Sequence, residues 1–286
     1  MRDQLTLSRD PGKTSPASGR CFGAKRTMLS DFDAHQCLTI PRTVTAWAGA
    51  YAEGDKISLH SHPRAQLLYA VEGVMRIYTP DSVWTVPSQR ALWVPGNIEH
   101  SLVMMSRVEM RTLYVEAEAA ELMGHSCRAI LVSRLLRELV LGLLEESLEY
   151  PLAGRGEHIA ALILLEIARA DALSMEIPWP RDRRLQTVCQ AVMDAPGSNR
   201  TIEDLAEMAG ASARTLIRLF PKETGLKYRH WLQQVQLAEA LRLLGHGESI
   251  ARIADALGYA SPSAFSAMFK RLLGTSPNQY LSRKKT

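Results

Sequence analysis

The run Thr201-Ile-Glu-Asp-Leu-Ala-Glu-Met-Ala-Gly210-Ala-Ser212 returns as Ser249-Ile-Ala-Arg-Ile-Ala-Asp-Ala-Leu-Gly258-Tyr-Ala-Ser261. Ile202, Leu205, Ala206 and Gly210 recur 48 residues later as Ile250, Ile253, Ala254 and Gly258. Past one extra residue, Ser212, Leu216, Phe220, Gly225 and Trp231 recur 49 later as Ser261, Phe265, Phe269, Gly274 and Tyr280. Each copy has the parts of a helix-turn-helix. Thr201 to Asp204 forms a capping box that opens a short helix. Ala206 is small where a second helix must cross closely, and Gly210 suits the positive φ that ends the first. Ser212 caps the next helix, which turns Leu216 and Phe220 inward. In the second copy Ser261-Pro262 supplies an N-cap and a proline at the first helical position, where the missing N–H costs little. Agreement at this many positions argues against accidental similarity within an ordinary bundle. The motifs span 201–223 and 249–272.

Charge points the same way. From Arg181 onward 16 Lys/Arg face 9 Asp/Glu, a surplus of +7, while the preceding residues carry 18 basic and 21 acidic groups, a net of −3. A basic C-terminal third on a slightly acidic body suggests a polyanionic partner for that third, or else a solvated basic face.

The run Ile250 to Ser261, then Phe265, Phe269-Lys-Arg, Gly274-Thr-Ser-Pro277 and Tyr280, resembles the signature of the AraC/XylS family of bacterial transcription regulators. Leu216, Arg218, Phe220, Glu223-Thr-Gly225 and Trp231 are similar to that family's upstream helix-turn-helix. The resemblance implies seven helices, with a linker helix over roughly 228–244 holding two recognition helices about 34 Å apart, in successive major grooves of double-stranded promoter DNA. Helical phase then names the contacts. In the first recognition helix Arg214, Thr215, Ile217 and Arg218 point outward, and Arg214 and Arg218 are placed to read guanines bidentately or to hold phosphates. The second exposes Ser263, Ala264, Ser266 and Ala267, small groups suited to weak base contacts, with Lys270 and Arg271 for phosphates. Pro221 departs from the repeat, where Lys270 stands in the second copy. It is expected to kink the helix and remove one phosphate contact.

The first half reads differently. From about Leu38 to Glu116, short β-branched and aromatic runs are punctuated by Glu53-Gly54-Asp55, Glu72-Gly73, Thr79-Pro80-Asp81 and Pro95-Gly96. This spacing predicts an all-β sandwich or barrel, with a hairpin of 65–71 and 74–78 about Glu72-Gly73. His60 and His62 alternate on one strand face, and Gln66, Gly73 and the run Pro95 to His100 follow. The pattern resembles the two motifs of the cupin superfamily, except that Gln66 replaces the usual glutamate and Gln89 and Met104 stand where glycine and asparagine are typical. The resemblance implies a pocket of His60, His62, Gln66, Leu68, Trp93 and His100. His60, His62, Gln66 and His100 could hold one divalent transition metal (Zn, Ni, Fe or Mn), or the histidines could bond an organic effector or one another. Trp47 is a further lining candidate, more in keeping with a core role.

After Glu116 a strand at 128–132 precedes helices at 133–146 and 157–169, whose apolar stripes serve either a dimer seam or their own β unit. The expected organisation is a tail without regular structure over 1–36, a cupin-like β-barrel over 37–116, a helical connector and dimerisation segment over 117–177, and an all-α double helix-turn-helix domain over 178–286. The fold class is therefore α+β multidomain. No apolar run reaches the roughly 18–20 residues of a membrane span. Four cysteines without CxxC spacing suit reduced thiols in a cytoplasm. Together these features predict a homodimeric regulator that binds DNA and a small-molecule effector, with RNA polymerase a partner if it activates. A cupin metalloenzyme of dioxygenase type carrying a DNA-targeting domain is the alternative.

Overall fold

The computed structural model describes residues 36–173 and 175–284. The expectation for the tail therefore lies, but for its last residue, outside the described residues.

Among the described residues, eight strands lie between 44 and 115: β1 (Val44–Tyr51), β2 (Lys56–His60), β3 (Ala65–Glu72), β4 (Val74–Thr79), β5 (Ser82–Pro87), β6 (Arg90–Val94), β7 (His100–Met104) and β8 (Val108–Val115). Three more follow, β9 (Arg128–Leu131), β10 (Ala172–Leu173) and β11 (Glu176–Pro178). They form two antiparallel sheets, ordered β1-β8-β3-β6-β9-β10 and β11-β5-β4-β7-β2. The expected barrel is realised as two facing sheets. Leu68, Ala70, Leu92 and Val94 of one meet Met75, Ile77, Trp84, Val86 and Leu102 of the other in a shared core.

The expected hairpin at Glu72-Gly73 is not formed. β3 pairs with β6 and β8, whereas β4 pairs with β5 and β7, so the chain crosses between sheets at this corner. Gly73 has φ 84°, and a Cβ there would lie 2.1 Å from the Arg107 carbonyl oxygen. The glycine serves a crossing and a close backbone approach, not a two-residue turn. The strand expected at 128–132 is β9, which extends the six-stranded sheet together with β10, while β11, which begins within 117–177, extends the other; β10 and β11 are not among the strands expected in this segment.

After a one-turn helix α1 (Ala117–Ala120), helices α2 (Arg134–Leu144) and α3 (Arg155–Arg169) lie on the outer face of the six-stranded sheet. Leu136, Val140, Leu143, Ile159, Ile163 and Ile167 pack there against Leu67, Tyr69 and Trp93. Seven helices follow among the described residues: α4 (Arg183–Asp194), α5 (Ile202–Met208), α6 (Ala213–Thr224), α7 (Tyr228–Gly245), α8 (Ile250–Ala256), α9 (Pro262–Leu273) and α10 (Pro277–Lys284). The local signals act as their chemistry requires. Thr201 and Asp204 cap each other's backbone, Ser212 accepts from Thr215 N, Ser261 accepts from Ala264 N, and Gly210 and Gly258 take φ of 60° and 73°. Pro221 does not end α6, which runs on to Thr224.

Candidate effector pocket and DNA-binding surface

Three imidazoles gather at one end of the space between the sheets. His60 ends β2, where a register shift separates it from Ile57; His100 starts β7 directly opposite; His62 follows two residues after His60. One ring nitrogen from each lies within 4.8 Å of the others. His62 and His100 are buried and His60 is half-buried.

Their protons can be assigned by donor and acceptor logic. Each Nδ1 lies against a backbone carbonyl: His60 on Ser58 at 2.9 Å, His62 on Arg64 at 2.7 Å and His100 on Ile98 at 2.9 Å. A carbonyl only accepts, so each Nδ1–H donates, and Nε2 is the nitrogen left to carry a lone pair in a neutral ring. Burial lowers the pKa of His62 and brings that of His100 down to about 4, so both are neutral at pH 7. Gln66 Oε1 then lies 3.1 Å from His62 Nε2 and 2.9 Å from His100 Nε2, while its Nε2 donates to Thr112 Oγ1 at 2.9 Å. Two lone-pair nitrogens facing an acceptor oxygen lack a positive centre between them. A divalent cation supplies one, with three imidazoles oriented by carbonyls as ligands. Turning the Gln66 amide over also resolves the conflict, because its NH₂ would donate to both rings and accept Thr112's hydroxyl proton on Oε1. The donor set fits a transition metal and equally fits a closed polar network.

Leu68 lies in the core beneath this cluster with Trp47 and Tyr114. Trp93 does not. Leu92 and Val94 face the inter-sheet core, so strand alternation sends Trp93 to the opposite face, under α2 and α3. Two residues that the sequence reading did not name adjoin the site: Thr112, and Tyr114, whose ring meets His62 edge-on at 5.3 Å. Both come from β8, which pairs with β3 across more than forty residues of chain. Period-2 alternation of Met110, Thr112 and Tyr114 could have suggested an inward face but not its partner. Gln89, where the cupin pattern has glycine, takes φ 64°.

On the second surface, α6 exposes Arg214, Ile217 and Arg218, with Thr215 half-buried and bonded to the Ser212 cap. Neither Arg214 nor Arg218 makes a hydrogen bond or ion pair among the described residues. On α9, Ser263, Ala264, Ala267, Lys270 and Arg271 are exposed and Ser266 is half-buried. Arg271 differs from the arginines of α6, since its Nη2 donates to Gln233 of α7 at 2.7 Å.

Two family models match the chain, an AraC-like ligand binding domain over residues 48–162 and a helix-turn-helix domain over residues 205–283. The HTH-type transcriptional regulator NimR of Escherichia coli (strain K12) is 31% identical over 228 residues, which cover 80% of this chain and 83% of that protein. The arabinose operon regulatory protein of the same organism is 28% identical over 132 residues, 44% of this chain and 45% of that one. A crystal structure of ToxT from Vibrio cholerae O395 aligns at a TM-score of 0.36 with 15% identity, covering 84% of this chain and 97% of that one.

Proposed function

The chain belongs to the AraC family of transcriptional regulators, and from that premise we propose how its two surfaces divide the work. It is a DNA-binding regulator with an N-terminal ligand-binding domain and not an enzyme, which leaves the dioxygenase alternative without support. In our reading a small effector enters between the sheets at the histidine end, where His60, His62 and His100, with Gln66, hold a divalent transition metal as part of the effector site. The observation that carries this is the convergence of three imidazoles whose Nδ1 protons are all held by carbonyls, leaving Nε2 lone pairs for a ligand. Bound metal would supply a positive centre for an oxygen-donor or anionic effector group; the chain's own residues orient the ligands and exclude water.

For the output, Arg214 and Arg218 read base edges, Thr215, Ile217, Ser263, Ser266 and Ala267 make lesser contacts, and Lys270 and Arg271 bind phosphates. The 18-residue helix α7 spans about 27 Å, which supports a separation near one DNA turn. Leu135, Leu162 and Leu165 are 52%, 46% and 60% exposed on α2 and α3, away from the sheet, and we assign this face to a second copy of the chain. No helix among the described residues is long and apolar enough to cross a membrane, in keeping with a cytoplasmic location.

Elemental analysis of full-length protein purified without chelator tests the metal reading. The expected result is near-stoichiometric metal in the wild type and none in His62→Ala. Absent metal in the wild type after loading with Zn, Ni, Fe or Mn would reject it in favour of the closed polar network.

A further inference from the structure

The outer face of the five-stranded sheet is where the β unit meets the linker helix. Strands β4, β5 and β11 pack against α7, and Val83 and Ile177 join the core of the first helix-turn-helix. Trp231 Nε1 donates to the Pro178 carbonyl at 2.8 Å. Arg181 pairs with Asp81 at 2.8 Å, and His246 approaches Glu53 at 3.7 Å.

Arg76 sits on this outer face, because its neighbours Met75 and Ile77 point into the core between the sheets. It is only 9% exposed, and its Nε is fully enclosed without a partner. Among the described residues its guanidinium makes no hydrogen bond or ion pair. Thr85, directly opposite on β5, is 3% exposed and its hydroxyl also lacks a partner. The acidic groups Asp81 and Glu53 face Arg181 and His246. A guanidinium stays charged at any pH where the protein folds, and burying it without a counter-charge is strongly unfavourable. An unpaired polar group of this kind points to a partner from outside the chain.

We propose that Arg76 and the Thr85 hydroxyl form an anion site in this seam that takes a carboxylate or phosphate oxyanion of a small ligand. A planar fork of N–H donors beside a hydroxyl donor matches the oxygens of such a group. The site lies on the opposite face of the sheet from the buried His100 and does not depend on metal there. Because it joins the β unit to the helix that spaces the two recognition helices, its occupancy biases their arrangement, and DNA binding reciprocally biases its occupancy.

Thermal unfolding of the full chain tests this, with inorganic phosphate and acetate as probes and chloride as reference at constant ionic strength. The wild type should show a saturable rise, about 5 °C or more at a hundredfold excess over the dissociation constant, and the stronger of the two anions identifies the oxyanion class. Arg76→Met should lose the rise and melt in chloride at or above the wild type, since it removes an uncompensated charge. Thr85→Val, which keeps the volume, should weaken the apparent anion affinity about 3–10-fold. It serves if Arg76→Met fails to fold. An equal rise in the wild type and both variants, or no saturable rise in the wild type, would overturn the proposal.

Discussion

On the proposed reading, truncating Arg218 removes base recognition and leaves the fold intact. Arg218 is exposed on α6 and unpaired among the described residues, four positions after Arg214 and on the same side of the helix. Arg218→Ala therefore deletes no intramolecular bond, and stability should change by no more than about 0.5 kcal/mol. Its effect on DNA is larger. A bidentate arginine–guanine pair contributes about 1–3 kcal/mol of discrimination, which is a loss of roughly 5–150-fold on the cognate site. Arg271 is the contrasting case, since its Nη2 is already bonded to Gln233 and it is assigned to phosphate. Arg271→Ala should weaken all duplexes alike and reduce the salt slope by about one. Fluorescence anisotropy with the chain's own upstream region and a scrambled duplex, at several salt concentrations, separates the two. If Arg218→Ala loses the same factor on both duplexes and its salt slope falls, Arg218 binds phosphate and the phase argument fails.

Three further outcomes follow from the geometry. His100 titrates at about 4 when folded and near 6.5 when unfolded, so between those values the unfolded state binds more protons and stability falls as pH drops. Unfolding at pH 7 and pH 4.5 should show this loss, and His100→Gln should flatten it; an unchanged slope in the variant would place the acid sensitivity elsewhere. Gly73→Ala forces a side chain to φ 84° and against the Arg107 carbonyl, so it should destabilise by about 3 kcal/mol or more in denaturant titration. A loss under 1 kcal/mol would show that the corner relaxes freely. Leu162→Glu with Leu165→Glu should convert a dimer to a monomer in sedimentation velocity with the melting temperature little changed; a persistent dimer would move the seam off this face.

The C-terminal half was legible because its signals are local. Caps at Thr201, Ser212 and Ser261, positive-φ glycines at 210 and 258, and inward Leu216 and Phe220 all act within a turn or two of helix. The histidine trio was also legible through a motif-level resemblance, but not by alternation along one strand, since β2 ends at His60 and His62 lies beyond it. What the sequence hid is set by long-range pairing. Glu72-Gly73 reads as a turn in either case, and only the partners of β3 and β4 show that the chain changes sheets there. Trp93 looks like a pocket residue until Leu92 and Val94 are known to face inward. Thr112, Tyr114, the strands β10 and β11, and the sheet that the expected strand β9 joins are all set by pairing with segments distant in the chain. The link between Arg271 and Gln233 likewise depends on how α9 crosses α7.

Coupling between the histidine end and the recognition helices is most directly tested by the affinity of the full chain for its own upstream region, measured with the metal site loaded and after chelation. Differential affinity of a ligand for two arrangements must appear as a change in DNA affinity, typically about 5–150-fold for coupled sites, and should vanish in His62→Ala. Identical affinities in the loaded and chelated wild type, with metal binding itself verified, would contradict the account.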